Sequence, residues 1–158
     1  MSQANLEDFL RRGYARFNAS EREPPDEEEF ASLDIYHPDS VYVNDANDPD
    51  PGIHRGIEAV RQQIRRWVEA YPDLRVEPLE IQTSGDRAFV WVRFSGHGAG
   101  SGVPIEMEIA QVVTVEGGKI RRIEEYSDRA DGLEAAGLRE WALALPRMPG
   151  RHTSSPVV

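Results

Sequence analysis

The chain has 158 residues, about the length of one ordinary domain, and carries 28 Asp and Glu against 18 Lys and Arg for a net charge of −10. That balance argues against a nucleic-acid backbone or an anionic membrane as the main partner. Cysteine is absent, which excludes disulfides, thiolate metal sites and a Cys nucleophile.

No stretch is apolar for long enough to span a bilayer, and residues 1–5 hold neither a basic patch nor an apolar run. The expected location is the cytoplasm. The apolar residues make up 39% of the chain and are grouped, which predicts one modest core. Leu6, Phe9, Leu10, Tyr14 and Phe17 fall on one helical face, with Asn5 placed to cap the helix. Asp26 and Glu29 have capping-box spacing ahead of Phe30 and Leu33, which predicts a short second helix. Residues 41–44 read as a brief strand. Residues 45–54 hold three Asp, two Pro and a Gly, and read as a loop. Ile57, Val60, Ile64, Trp67 and Val68 mark a third helix, which ends near Tyr71 because the residue before Pro72 avoids helical angles.

The period then changes to two. Residues 74–83, 87–97, 103–115 and 119–128 read as four strands, joined by Ser84-Gly85-Asp86, a glycine-rich connection and a Gly117-Gly118 hairpin turn. Residues 133–145 are expected to form a last helix, and 146–158 a mobile tail. Helices followed by a meander do not suggest alternating βα units. The prediction is one α+β domain over residues 1–145, in which an antiparallel sheet curls around a small-molecule pocket with the helix of Trp67 in its concave side.

Alternation along residues 103–115 puts Val103, Ile105, Met107, Ile109, Gln111, Val113 and Val115 on one face, read as the inner one. Gln111 is its polar exception, and it either binds a ligand or closes an internal hydrogen-bond network. In residues 87–97, Val90, Val92 and Phe94 oppose Phe89, Trp91, Arg93, Ser95 and His97, and either face can be buried. Tyr42 and Asn44 share a side of the first strand, where they either hold a water or carbonyl oxygen or complete a strand end. No HExxH-like spacing links the four histidines, so no metal is expected. The Asp45, Asn47, Asp48, Asp50 cluster is interrupted by Pro49 and lacks the closing Glu of a helix–loop–helix calcium site.

Tyr14-Ala15-Arg16-Phe17-Asn18, His37-Pro38-Asp39-Ser40-Val41, Gly56-Ile57-Glu58-Ala59-Val60, Gly117-Gly118-Lys119-Ile120 and Glu125-Tyr126-Ser127-Asp128 occur in an order and spacing that resembles the SnoaL-like group of polyketide cyclases, within the nuclear transport factor 2-like superfamily. The resemblance implies a cone-shaped α+β barrel, commonly a homodimer through the outer sheet face. It also implies a ligand pocket and no cofactor. It points Trp91 and Arg93 into the cavity, where bare alternation also allows Arg93 to lie outside and pair with Glu106 or Glu108. It points Ile123 and Glu125 inward, where Glu125 otherwise reads as a solvated edge carboxylate.

Against the ketosteroid isomerases of that superfamily, Asn44 stands at the base position, Gly13 at the tyrosine position and Gln111 at the aspartate position. Against the limonene-epoxide-hydrolase-like members, Tyr42-Val43-Asn44 and Arg93 match, while Ser95 and Glu125 replace aspartates. For cyclase-type acid–base chemistry, His54 and His97 are the candidates, each with an exposed loop histidine as the alternative. The resemblance thus implies Glu125, Arg93, Asn44 and Tyr42 as catalytic candidates. Gln111, Trp91, His97, His54, Met107, Ile109, Ile123 and Trp67 are the expected pocket residues. The expected function is isomerase, cyclase, dehydratase or hydrolase action on a largely apolar metabolite, with a non-catalytic binding or dimerisation module as the alternative.

Overall fold

The computed structural model describes residues 2–19, 34–48 and 51–138. The expected helix near Asp26 and the tail lie outside them. Helix α1 (Gln3–Ala19) is followed by strands β1 (Tyr36–Val43) and β2 (Ile53–Arg55), and then by helix α2 (Ile57–Ala70). Strands β3 (Arg75–Ser84), β4 (Arg87–His97), β5 (Pro104–Glu116) and β6 (Lys119–Tyr126) form the meander, and helix α3 (Arg129–Ala135) follows it. Among these residues no helix is long and apolar enough to cross a membrane.

The six strands make one sheet in the order β2-β1-β6-β5-β4-β3. The meander is antiparallel as expected. β1 joins it in parallel beside β6, and β2 pairs antiparallel with β1. The segment expected to be all loop thus ends in a short strand. Its composition hid the pairing, because Ile53–Arg55 is too short to show a period of its own. Gly117 and Gly118 both take positive φ, 60° and 77°, as the tight β5–β6 turn requires.

Two apolar layers flank the sheet. On the concave side, Leu6 and Leu10 of α1 and Val60 of α2 pack with Val90, Val92, Ile109, Val113 and Ile123. Asn18 pins α1 to the edge strand: its amide donates to the Val76 carbonyl at 2.9 Å and its oxygen accepts from the Val76 N–H at 2.8 Å. These bonds occupy backbone groups that an edge strand would otherwise leave open. The cap of α1 is Ser2, whose hydroxyl accepts from the Asn5 N–H at 3.2 Å, so Asn5 lies inside the helix it was expected to cap.

On the convex side, α3 covers Phe89, Ala110 and Val112 with Leu133, Ala136 and Leu138. The last helix therefore begins earlier than residue 133, with Asp128 accepting from the Asp131 N–H at 3.0 Å. It also ends earlier. Gly137 takes φ +80°, and the Leu138 N–H turns back to the Leu133 carbonyl at 2.8 Å, a glycine stop that a helix running on from 133 would not allow. Residues 139–145 lie outside the described residues.

Gly132 lets α3 sit this close. A Cβ there would lie 2.6 Å from the Ala110 Cβ and 3.1 Å from Phe89. Gly132→Ala is expected to lower stability by about 1–3 kcal/mol through overpacking, outweighing the helix propensity that Ala adds. A shift of the urea midpoint to lower concentration at unchanged slope would show it; a more stable variant would refute the close-packing account.

Candidate functional site

The cavity lies between α1, α2 and the concave sheet face. Its walls are apolar: Phe9, Leu10 and Phe17 from α1, Ile64 and Trp67 from α2, and Phe94, Val113 and Ile123 from the sheet. About 110 Å³ is open to the centre of a water-sized sphere, several times what one water needs. Among the described residues the polar groups in the wall are Tyr14, Tyr36, Tyr42, Gln63 and Gln111.

Three of these belong to one hydrogen-bonded line. Tyr14 donates to Gln111 Oε1 at 2.6 Å, and Gln111 Nε2 donates to the Tyr42 hydroxyl at 3.2 Å. Tyr42 donates in turn to Glu125 Oε2. Beyond the cavity wall, Glu125 Oε1 faces the Asn44 amide and the Asp45 backbone N–H, each at 3.4 Å. The Asn44 oxygen meets His54 Nε2 at 2.7 Å. With the Asn44 amide donating to Glu125, its oxygen is the acceptor, so His54 carries a proton on Nε2.

Sheet register assembles this line. Gln111 and Glu125 are directly paired across β5 and β6, and Tyr42 and His54 across β1 and β2. Directly opposed residues share a face of the sheet. Asp45 holds the chain where β1 runs out: its carboxylate accepts from the backbone N–H of Asn47 and of Ser127. Asp45 is thus committed to backbone. Among the described residues no group of three or more His, Asp or Glu is placed to hold a metal ion.

Glu125 is 5% exposed. Burial pushes its carboxyl above the usual carboxylate range, and the nearby charge of Asp48 adds to this. Hydrogen bonds from Tyr42, the Asp45 N–H and Asn44 pull the other way without cancelling it. The tyrosines remain phenols. Burial raises Tyr36 to about 12, and burial followed by the charge of Glu125 drives Tyr42 well up. Tyr14 is raised first by burial, then by Tyr36 and Glu125.

Trp67 and Ile123 line the cavity, and Ile109 is in the surrounding core. Arg93 and Trp91 do not point inward. The β4–β5 register pairs Val90 with Gln111, Trp91 with Ala110 and Arg93 with Glu108. With Gln111 inside, Val90, Val92 and Phe94 are inside too, and Trp91 and Arg93 must lie outside. There Arg93 pairs with Glu108 at 3.5 Å, and the Trp91 indole donates to the same carboxylate at 2.8 Å. Met107 is on the inner face opposite Phe94, but it is 37% exposed and is not in the cavity wall. His97 sits at the far end of β4, with its ring 2.6 Å from Asp73, in an exposed cleft apart from the cavity.

Sequence reasoning passed over Tyr14 and Tyr36 as pocket groups. Tyr14 was visible as the one hydroxyl-bearing residue on the apolar stripe of α1, but at that spacing an aromatic reads as core. Tyr36 begins a strand that was expected to start later.

Tyr42→Phe removes the donor to Glu125 and the acceptor for Gln111. A loss of about 1–3 kcal/mol is expected from the unsatisfied groups. The Glu125 carboxyl is also expected to titrate higher still, because the largest bond opposing desolvation is gone. A carboxyl whose folded pKa is raised contributes stability that is fully present below the unfolded pKa and lost as pH rises through the folded one. Urea melts across the acidic range should therefore show a fall with pH that extends higher in Tyr42→Phe and vanishes in Glu125→Gln. An unmoved Glu125 carboxyl signal in a ¹³C titration of Tyr42→Phe would contradict this.

The family model for the SnoaL-like domain matches residues 10–123. No curated protein matches the sequence. Among solved structures, a nuclear transport factor 2-like protein of unknown function from Burkholderia pseudomallei K96243 is 21% identical, with 86% of this chain and 98% of that chain covered at a TM-score of 0.63. A protein provisionally assigned as a SnoaL-like polyketide cyclase from Jannaschia sp. CCS1 is 16% identical, covering 91% and 95% at a TM-score of 0.64. A protein of ketosteroid-isomerase-like fold from Catenulispora acidiphila DSM 44928, solved in complex with trimethylamine, is 19% identical, covering 68% and 81% at a TM-score of 0.55. At these identities the likeness to solved structures is one of fold. With the family match spanning well over half of its length, the chain belongs to the SnoaL-like domain family.

Proposed function

We propose that the chain binds a compact, largely apolar metabolite in the cavity and moves a proton on it without a cofactor. The reaction class is isomerisation, cyclisation, dehydration or hydrolysis. One observation carries the reading: Tyr42 lines the cavity and is hydrogen-bonded to a buried carboxyl that holds its proton unusually well. A proton leaving the ligand would arrive on the Tyr42 oxygen as the Tyr42 proton passes to Glu125. Tyr42 ends neutral and Glu125 ends protonated. Raising the pKa of Glu125 toward the working pH makes it a better proton acceptor for such a step. Asn44 and His54 are positioning residues in this scheme, since they reach the ligand only through Glu125. Arg93 has no part in it. The relatives solved with trimethylamine and assigned as a polyketide cyclase fit a small-molecule chamber.

A second reading, binding without turnover, has its own support. Glu125 is not part of the cavity wall, and both of its oxygens already have protein donors. The two readings separate in a screen that selects compounds by the rise in melting temperature and then follows them by NMR for conversion. Catalysis predicts that Glu125→Gln lowers turnover of a converted compound, measured at saturation, by about 10²-fold or more. Hits that bind and are never converted, with Glu125→Gln altering affinity alone, would favour the binding module.

We also propose a cytoplasmic homodimer that uses the outer sheet face. Glu77, Arg93 and Glu108 lie in one cross-strand row there, a charge pattern that a two-fold axis can match to itself. Arg93→Glu is expected to shift the sedimentation coefficient to that of a monomer; an unchanged dimer would place the contact elsewhere.

A further inference from the structure

An ionised carboxylate accepts hydrogen bonds and donates none. While Glu125 is ionised, the proton of Tyr42 is therefore committed to it. The Tyr42 oxygen is left to accept, and it accepts from the Gln111 amide. That turns the Gln111 oxygen to the other end, where it accepts from Tyr14. One anion thus orients the hydroxyl protons along a line that ends on a phenol in the cavity wall. What Tyr14 and Tyr42 still offer the cavity is lone pairs.

We infer that, with Glu125 ionised, the Tyr14–Tyr42 end of the cavity selects ligands that donate a hydrogen bond (an alcohol, a phenol or a protonated amine) over carbonyl compounds of the same size and shape. This rests on the cavity being a ligand site. Aromatic side chains from α1, α2 and the sheet surround the space, Phe9, Phe17, Trp67 and Phe94 among them. Among the described residues no Lys, Arg or His is in the wall, so none of these supplies a cationic donor for these oxygens. Tyr36 and Gln63 also line the cavity but take no part in the line; the Gln63 oxygen accepts from Arg66 at 2.6 Å. A carbonyl ligand at Tyr14 would set acceptor against acceptor, and a buried polar group left unpaired is costly.

Protonating Glu125 reverses the line. The carboxyl then donates to Tyr42, Tyr42 donates to the Gln111 oxygen after the amide turns over, and the Gln111 amide donates to Tyr14. The Tyr14 proton is freed for the cavity. The groups that face Glu125 are Tyr42 from β1, Asn44, Asp45 and Asp48 from the following loop and Gln111 from β5. Tyr14 of α1 and His54 of β2 reach it through Gln111 and Asn44. The backbone N–H of Asp45 fixes what Glu125→Gln does. That N–H can only donate, so the new amide keeps its oxygen there and turns its NH₂ to Tyr42. The variant reverses the line at any pH.

The test uses a size-matched pair, cyclohexanol and cyclohexanone, with calorimetric titration of the full chain at about pH 8, well above the usual carboxylate range. The wild type is expected to bind the alcohol about tenfold or more tightly than the ketone, the scale of one buried hydrogen bond made or left unmade. Glu125→Gln is expected to abolish or invert that preference. Tyr14→Phe, which removes the accepting oxygen and leaves the carboxyl in place, is expected to erase it by weakening the alcohol alone. It also keeps the test decisive if Glu125→Gln fails to fold. Equal binding of both compounds to the wild type, or an alcohol preference that survives the two substitutions, overturns the inference and leaves the pocket reading standing. Binding of neither compound at millimolar concentration overturns the pocket reading and this inference with it.

Discussion

A carboxylate removed from water needs donors, and the way Glu125 obtains them shapes much of this molecule. Its three donors come from β1 and the loop that follows: the Tyr42 hydroxyl, the Asn44 amide and the Asp45 N–H. They reach it only because β1 lies parallel to β6, with Tyr42 beside Ile123 and Val43 beside Glu124. The loop is held in turn by Asp45 on the Asn47 and Ser127 backbone. Desolvation still outweighs these bonds, since the carboxyl remains raised. The site is therefore held in a state that the fold supports but does not fully compensate. That is the condition under which a carboxyl holds its proton to higher pH than it does in water.

The curled meander was legible because its strands change period sharply from the preceding helices, and because glycines mark the turns that need positive φ. Gln111 was legible for a similar reason. It is the polar interruption of an apolar row on β5, and the structure closes it into an internal network between Tyr14 and Tyr42. The facing of β4 was not legible from its own residues. Val90, Val92 and Phe94 are apolar toward the cavity side, and Phe89 and Trp91 are apolar toward α3. A strand covered on both faces carries no alternation signal. Its orientation is decided by its register with β5, a long-range fact, and that register sends Arg93 to the outer face. Resemblance to relatives had supplied the opposite answer, because a shared fold does not carry each side chain with it.

The same limit explains His54 and Tyr14. His54 sits in a segment whose Asp, Pro and Gly content reads as loop, and only pairing with β1 makes Ile53–Arg55 a strand and sets His54 opposite Tyr42. Tyr14 reads as one more apolar position on α1. Its hydroxyl gains meaning only when β5 brings Gln111 within hydrogen-bond distance. Both residues depend on contacts distant in sequence, and both are tied to Glu125 through one intermediate amide or more.

With Arg93 outside, the chemistries of the better-known relatives separate from this chain for a physical reason. Epoxide opening needs an acid and a base on either side of the reacting bond, each with its own proton supply. Here the groups proposed to handle protons lie along one line behind one wall of the cavity, and among the described residues Glu125 is its one carboxyl. A single line can accept a proton at Tyr42 or, with its polarity reversed, offer one at Tyr14, but it cannot do both at once. Such an arrangement suits reactions in which one group takes up a proton and later returns it. It suits poorly those that need opposed acid and base in the same step. On the proposed reading, the linear order of Tyr14, Gln111, Tyr42 and Glu125 would limit the reaction class more tightly than the apolar cavity in front of it.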